Sequence, residues 1–293
     1  MLYPQISYWA FHEGPAGARG IVEAMRVAKQ AGFKGIELAI GEHGQLTPDT
    51  PANECRNIAA AADAIGIKIG SVASGLGWKF NAASRKKEER ELALETTAKC
   101  IRVTGDLGAT HLLVLTGHVD VFFMPQDPVP YADCYKRSVA YLRAVGKLAA
   151  KKKVVACVEN VWNRFLYSPL EFNAFLKEVG HKNVAMYFDV GNVWNFGYPQ
   201  DWINILGKRI ARVHVKDFRR AAGNANGFCK LGEGDVPLRE SLKLLKKIGY
   251  NGPITAEVNP GREDTTEMVF MLQTAEAIRN AMGLPVPGKE AGL

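Results

Sequence analysis

VAMYFDVGNVWNFG, residues 184–197, and ARVHVKD, residues 211–217, form the stretch whose reading decides the fold. Each half contains a short apolar run that ends in a side chain able to bind a metal: Asp189 in the first, His214 in the second. A run of Val, Ala, Met, Tyr and Phe offers no polar side to water. That is the pattern of a strand covered on both faces, and such strands belong to parallel sheets wrapped in helices. A carboxylate at the end of one strand and an imidazole at the end of the next suggest a shared ligand. The rest of the chain is therefore read for further strands that end the same way.

Downstream, PITAEV (residues 253–258) is a strand carrying Glu257, followed by a helical pattern over 264–282 and a Pro/Gly-rich tail from Gly283. Upstream, VVACVEN (154–160) is a strand ending in Glu159. Before it come HLLVL (111–115), IKIGSVAS (67–74), GIELAI (35–40), with Glu37 inside it, and LYPQIS (2–7). Helical patterns lie between them over 18–30, over an alanine-rich segment ending near 65, and over 84–107 and 131–151. One more begins at Ser168-Pro169 with an N-cap and a proline at the first helical position. Another follows the glycine-rich CKLGEGDVP (229–237) and runs to Ile248. Strands alternate with helices eight times, at about one unit per 35 residues, which predicts a (β/α)8 TIM barrel. A doubly wound sheet would carry GxGxxG after its first strand, and none is present. No linker interrupts the alternation, so residues 1–293 read as one domain with a peripheral tail from about 283. The long, aromatic, proline-containing loop over 116–130 is a candidate lid.

Length and composition agree with a large core: 293 residues, 47% hydrophobic and 23% charged. The net charge of +7 is spread in small basic groups mixed with acids, so it marks solvated helix faces or a mild attraction for anionic substrates. No basic stripe with interleaved aromatics marks a nucleic-acid track. Five cysteines without a CxxC pair argue for a reducing compartment and against a disulfide framework. No apolar run is long enough to span a bilayer, and the amino terminus lacks a signal-peptide core. A soluble cytoplasmic protein without membrane partners is expected.

Glu159, Asp189, His214 and Glu257 thus end the last four strands, and a barrel gathers those ends at one mouth. Three carboxylates and an imidazole would repel one another there unless a cation sat among them. Oxygen-rich ligation with one imidazole suits one divalent ion, Mn2+ first, then Mg2+ or Co2+. Adjacent strands of an eight-stranded barrel are about 45° apart, which puts Glu159 and Glu257 roughly 135° apart around the rim. Two opposed carboxylates can take a proton from one face of a carbon acid and return it to the other. That is the equipment of an epimerase or a proton-transfer isomerase.

On these residues the chain resembles the xylose isomerase-like TIM barrels, and within them the sugar and sugar-phosphate isomerases and epimerases. VEN at Glu159, FDVGN at Asp189, HVKDF at His214, GEGDVP from Gly232 and AEV at Glu257 carry the resemblance, which spans nearly the whole chain. It is similar above all to L-ribulose- and L-xylulose-5-phosphate 3-epimerases and hexulose-6-phosphate isomerase-like proteins. The resemblance implies that Glu159, Asp189, His214 and Glu257 are the metal ligands. It implies further that the two glutamates act as acid and base in C3 epimerisation of a ketose through a metal-bound enediolate. It also implies a homo-oligomer, a dimer or tetramer. The free-sugar 3-epimerases carry a substrate-binding histidine where this chain has Asn192. Their arginine after the metal-binding histidine corresponds to Arg220 or Arg219. With Lys216 and Trp9, these form the expected substrate-binding set. Lys216, Arg219, Arg220 and Lys230 load the loop after the seventh strand with positive charge that suits a phosphorylated ketose.

Aldose–ketose isomerisation by proton transfer between C1 and C2, and dehydration or lysis of a polyol ketone, use the same metal site and stay open. A nuclease of the endonuclease IV type would need many strand-end histidines, and only His214 of six holds such a place. A sugar-binding protein without catalysis would not need two acids facing each other across a cation.

Overall fold

The computed structural model describes residues 1–124, 126–259 and 266–285. Eight strands close into an all-parallel barrel: β1 (Tyr3–Ser7), β2 (Gly35–Ile40), β3 (Lys68–Ser74), β4 (His111–Val114), β5 (Val155–Glu159), β6 (Val184–Asp189), β7 (Ile210–Val215) and, after two short strands β8 (Asp217–Phe218) and β9 (Phe228–Cys229), β10 (Pro253–Ala256). Neighbours around the barrel run β1, β10, β7, β6, β5, β4, β3, β2. The strands that bring Glu159, Asp189, His214 and Glu257 are therefore consecutive around the wall. Glu257 sits one residue past β10, held by its N–H donating to the Val215 carbonyl at 3.1 Å.

The helices are α1 (Ile21–Gln30), α2 (Ala52–Ile65), α3 (Leu76–Lys79), α4 (Lys87–Asp106), α5 (Tyr131–Lys151), α6 (Pro169–Val179), α7 (Val190–Trp194), α8 (Pro199–Leu206), α9 (Leu238–Lys247) and α10 (Glu267–Met282). Sequence chemistry sets their ends. Ser168 caps α6 by accepting from Glu171 N at 3.2 Å, with Pro169 at the first position. Gly180 ends that helix in the left-handed region at φ 64°. The interval between β6 and β7, short and polar-aromatic in sequence, holds two helices, α7 and α8. The expected start of the last helix at Asp264 and the tail beyond Pro285 lie outside the described residues.

Period-two alternation divides the strands between two cores. Outward-facing Ile36, Leu38, Leu112, Val158, Met186, Phe188, Val213 and Ile254 pack beneath the helices in one continuous cluster. Inward-facing Ala73, Leu113, Leu115, Cys157 and Tyr187 form a small cluster inside the barrel. Buried polar side chains share that interior: Gln5, Glu37, Ser71, Glu159, Asp189, His214 and Thr255. No helix among the described residues is long and apolar enough to cross a membrane.

Candidate metal centre and cavity

β6 and β7 pair so that Asp189 lies beside His214, and both side chains are fully buried. Glu159 ends β5, and Glu257 follows β10. One ligand atom from each of Glu159, Asp189, His214 and Glu257 can be chosen so that all four lie within 4.8 Å of one another. His214 Nδ1 is 3.2 Å from Glu159 Oε1 and 2.6 Å from Glu257 Oε2. Its other nitrogen, Nε2, is 2.7 Å from Glu37 Oε1. Lys216 joins the group, with Nζ 2.6 Å from Asp189 Oδ2, 2.9 Å from Glu257 Oε2 and 3.7 Å from Glu159 Oε1.

Burial pushes the Glu159 carboxyl up to about 7, and the nearby Lys216 only partly offsets that. Burial pushes Glu257 up as well, but Lys216 and His214 overcome it and hold this carboxyl well below the usual range. Burial would lower His214 and Lys216. The surrounding acids, Glu37 and Glu257 for the histidine and Asp189 and Glu257 for the lysine, reverse the sign and raise both well above their ordinary values.

These residues fit a divalent ion. Three carboxylates and an imidazole from four successive strands converge within the span that ligands of one ion would occupy. Glu257 Oε2 is buried between two cationic groups, 2.6 Å from His214 Nδ1 and 2.9 Å from Lys216 Nζ, and meets neither in good hydrogen-bond geometry.

Local sequence explains why the chain can fold this way. Asp189 caps α7, its Oδ1 accepting from Asn192 N at 2.7 Å, which leaves Oδ2 for the cluster. Asn160 pins the same residue through both backbone groups, accepting from Asp189 N at 2.8 Å and donating to Asp189 O at 2.9 Å. Gly191 lets the backbone of Lys216 approach, because a Cβ there would lie 2.6 Å from Lys216 Cβ. Asp217 accepts from Gly232 N, Gly234 N and Val236 N at 2.8, 3.0 and 3.2 Å, which fastens the GEGDVP loop beside the mouth.

Above the cluster lies a cavity of about 720 Å³, within the range of small-molecule sites. Glu159, Glu257, Lys216 and Asn192 form part of its floor. Trp9, Trp78, Trp162, Phe122, Phe123 and Phe228 contribute aromatic wall. Phe122 and Phe123 belong to the 116–130 loop. They meet edge to face at 5.2 Å, and Phe123 meets Trp78 the same way at 5.2 Å.

Of the expected substrate-binding residues, Trp9, Asn192 and Lys216 line this cavity and two do not. Arg219 is exposed and paired with Glu233 at 3.1 Å. Arg220 lies over the rings of Trp194 and Tyr198, 4.4 and 4.9 Å from their centres. β8 pairs antiparallel with β9 directly after Lys216, and both arginines fall in the hairpin segment beyond β8, outside the cavity lining. Lys230, just after β9, does line it. Glu37, inside GIELAI, has no role assigned to it from sequence. It lies beneath the cluster, bonded to His214, and its position early in GIELAI gave no sign of a partner 177 residues away.

The proteins similar to this chain include sugar 3-epimerases. L-ribulose-5-phosphate 3-epimerase UlaE of Shigella flexneri is 24% identical over 271 residues, covering 88% of this chain and 89% of the relative. Among solved structures, an L-ribulose 3-epimerase superposes with TM-score 0.78 at 20% identity, over 97% of this chain and 95% of the other. D-psicose 3-epimerase of Clostridium cellulolyticum superposes with TM-score 0.77 at 18% identity, over 96% and 99%. The family model described as xylose isomerase-like TIM barrel matches residues 25–275, and with the closed eight-stranded barrel it establishes that the chain belongs to that family.

Proposed function

We propose that the protein is a divalent-metal-dependent ketose 3-epimerase, with Glu159, Asp189, His214 and Glu257 as ligands and the two glutamates as acid and base. The observation that carries this reading is the convergence of those four side chains on one point below a sugar-sized cavity. The names borne by its relatives agree with it.

When bound, a divalent ion supplies a Lewis acid for the ketose carbonyl and for the charge that develops on it. The protein side chains do the rest. Glu159 enters from β5 and Glu257 from beyond β10, with β6 and β7 between them, so their carboxylates approach the cavity contents from different directions. One removes the proton at C3 and the other delivers a proton to the opposite face, which inverts that carbon. Lys216, anchored on Asp189 and Glu257, supplies a fixed positive charge beside the reacting oxygens. Asn192 and the face of Trp9 contact the sugar, and the aromatic wall excludes water from the carbanion-like state.

The donor set favours Mn2+, with Mg2+ or Co2+ as substitutes. Lys230 is placed to meet a phosphate at the far end of the ketose. The free cysteines accord with a cytoplasmic enzyme, which we take to work as a dimer or tetramer.

The test is incubation of Mn2+-loaded protein in D2O with free and 5-phosphorylated ketoses. Deuterium at C3 of both epimers is the expected result. Deuterium at C1 or C2 would replace this reading with aldose–ketose isomerisation, and absence of exchange from every ketose would refute it.

A further inference from the structure

Directly under the proposed metal centre lies a polar layer that no step of the reaction uses. Glu37 is fully buried at its centre. Its Oε1 accepts from His214 Nε2 at 2.7 Å. Its Oε2 accepts from Ser71 Oγ at 2.7 Å and from the Tyr187 hydroxyl. Gln5 Nε2 in turn donates to Ser71 Oγ at 2.8 Å and to Thr255 Oγ1 at 2.9 Å. Six of the eight barrel strands contribute to this layer, where barrels usually carry bulky apolar side chains. A carboxylate without solvent is costly to keep, so its retention asks for a role.

The ladder itself supports one. Among the described barrel pairs, register shifts occur at two places, between Ile36 and Glu37 and between Met186 and Tyr187. Irregularities of this kind re-aim a side chain. Here the extra residues are Gly70 of β3 and Ala211 of β7, opposite the steps into Glu37 and Tyr187, so each lies beside one of the two residues that meet in the middle of the barrel.

We propose that Glu37 is the positioning residue of the metal centre: it accepts the hydrogen bond of the His214 Nε2–H, fixes the ring, and leaves Nδ1 facing Glu159 and Glu257. The inference rests on the metal reading given above. A neutral imidazole has a single N–H, and an acceptor on the Nε2 side selects the tautomer whose Nδ1 lone pair is available to a cation. Tyr187 and Ser71 both address Oε2, which keeps Oε1 turned to the histidine. The Tyr187 ring also lies against the imidazole, with centres 4.3 Å apart, and prevents it from flipping.

The experiment compares wild-type protein with Glu37→Gln, Glu37→Leu and Tyr187→Phe. Mn2+ affinity is measured by calorimetric titration, and the state of the His214 nitrogens by long-range 15N spectra of Mg2+-loaded protein. Glu37→Leu should weaken Mn2+ binding by about 10- to 100-fold, the usual loss for an outer partner of a ligating histidine. Glu37→Gln keeps an oxygen for the Nε2–H, so it should fold, retain the wild-type tautomer and lose less affinity. Tyr187→Phe leaves the acceptor in place and should bind Mn2+ nearly as wild type does. If Glu37→Leu fails to fold, Glu37→Gln carries the test, because loss of the charge must still raise its Kd.

Folded variants at position 37 with wild-type Kd would overturn the role and leave Glu37 a tie between strands. Wild-type protein that takes up no Mn2+ would overturn both this role and the metal reading. Mn2+ binding that weakens at position 37, in a wild type that epimerises nothing, would remove the proposed reaction and leave Glu37 in place.

Discussion

Replacing Gly191 with alanine should destabilise the protein, against the trend for a glycine inside a helix. Gly191 is the second residue of α7, where helix propensity alone favours alanine by about 1 kcal/mol. The close approach to β7 decides otherwise. A Cβ at 191 would lie 2.6 Å from Lys216 Cβ, 2.8 Å from the Lys216 carbonyl oxygen and 3.0 Å from its carbonyl carbon. Two of those atoms are backbone, so no rotamer change relieves the overlap. Overpacking of this kind costs ~1–3 kcal/mol, and contact with main chain belongs in the upper half of that range. After the helix gain the net loss is about 1–2 kcal/mol. For a chain of this size that corresponds to a fall in Tm of roughly 2–8 °C.

The functional loss should be larger. Separating α7 from the end of β7 moves Asp189 relative to His214 and Lys216, and a displacement near 1 Å costs about 100-fold in rate. Thermal melts by circular dichroism and deuterium exchange at C3 of the best ketose measure the two effects. A variant with Tm at or above wild type and exchange within about twofold would refute the close-packing account of FDVGN.

Other expectations follow from the same geometry. Glu159→Gln and Glu257→Gln should each lower the exchange rate by about 10²–10⁴-fold, and the double variant should be little worse than either, because the two act as a unit. Two independent, multiplying losses would argue against paired roles. Saturating Mn2+ at about 100 times its Kd should stabilise the protein by about 2.7 kcal/mol over its EDTA-treated form, visible as a Tm rise of several degrees. No change in Tm would mean that the carboxylate cluster does not hold the ion. Burial, with a smaller contribution from Arg212, holds the His111 imidazole down at about 3, so the folded state prefers it neutral. The stability linked to this group is complete above pH ~6.5 and is lost as pH falls from there toward 3, by at most about 5 kcal/mol and less for its residual exposure. A His111→Gln variant should therefore show a shallower loss of stability between pH 6.5 and 4 in urea melts, and parallel curves would count against the assignment. Trp162→Ala removes an indole that donates to Asn192 O at 2.8 Å and packs on Phe228, so it should raise KM more than it lowers kcat. An unchanged KM would place the indole outside the substrate's reach.

The barrel was legible because its strands are buried on both faces and announce themselves as short apolar runs, with boundaries that hold to within a residue or two. The four converging side chains were legible for the same reason: a carboxylate or imidazole interrupting such a run has no local explanation. What sequence concealed depends on direction. Arg219 and Arg220 follow His214 closely, but the two-residue β8 pairs with β9 before they are reached, and nothing in DFRR specifies that antiparallel pairing. The helices α7 and α8 were missed because a five-residue and an eight-residue helix scarcely establish a period, although Pro199 at the first position of α8 was a usable start signal. Glu37 was visible as a residue and invisible as a partner, since its meeting with His214 depends on strand closure and on a register shift beside it.

The polar centre of this barrel makes electrostatic sense only as a whole. Glu37, Glu159, Asp189 and Glu257 face one lysine and one imidazole in a largely buried space at the base of the cavity. Counted as ionised, the four acids exceed both cations by two charges even when His214 is protonated. Desolvated like charges at this spacing cannot all persist without compensation. On the proposed reading a bound dication would supply the missing charge, with His214 held by Glu37 on one side and Nδ1 turned to Glu159 and Glu257 on the other. On this account the layer under the site is part of the site. Its hydrogen bonds convert a cluster that would otherwise disperse or protonate into one with a fixed opening toward the cavity, and that fixed opening is what a reaction choosing between two faces of one carbon requires.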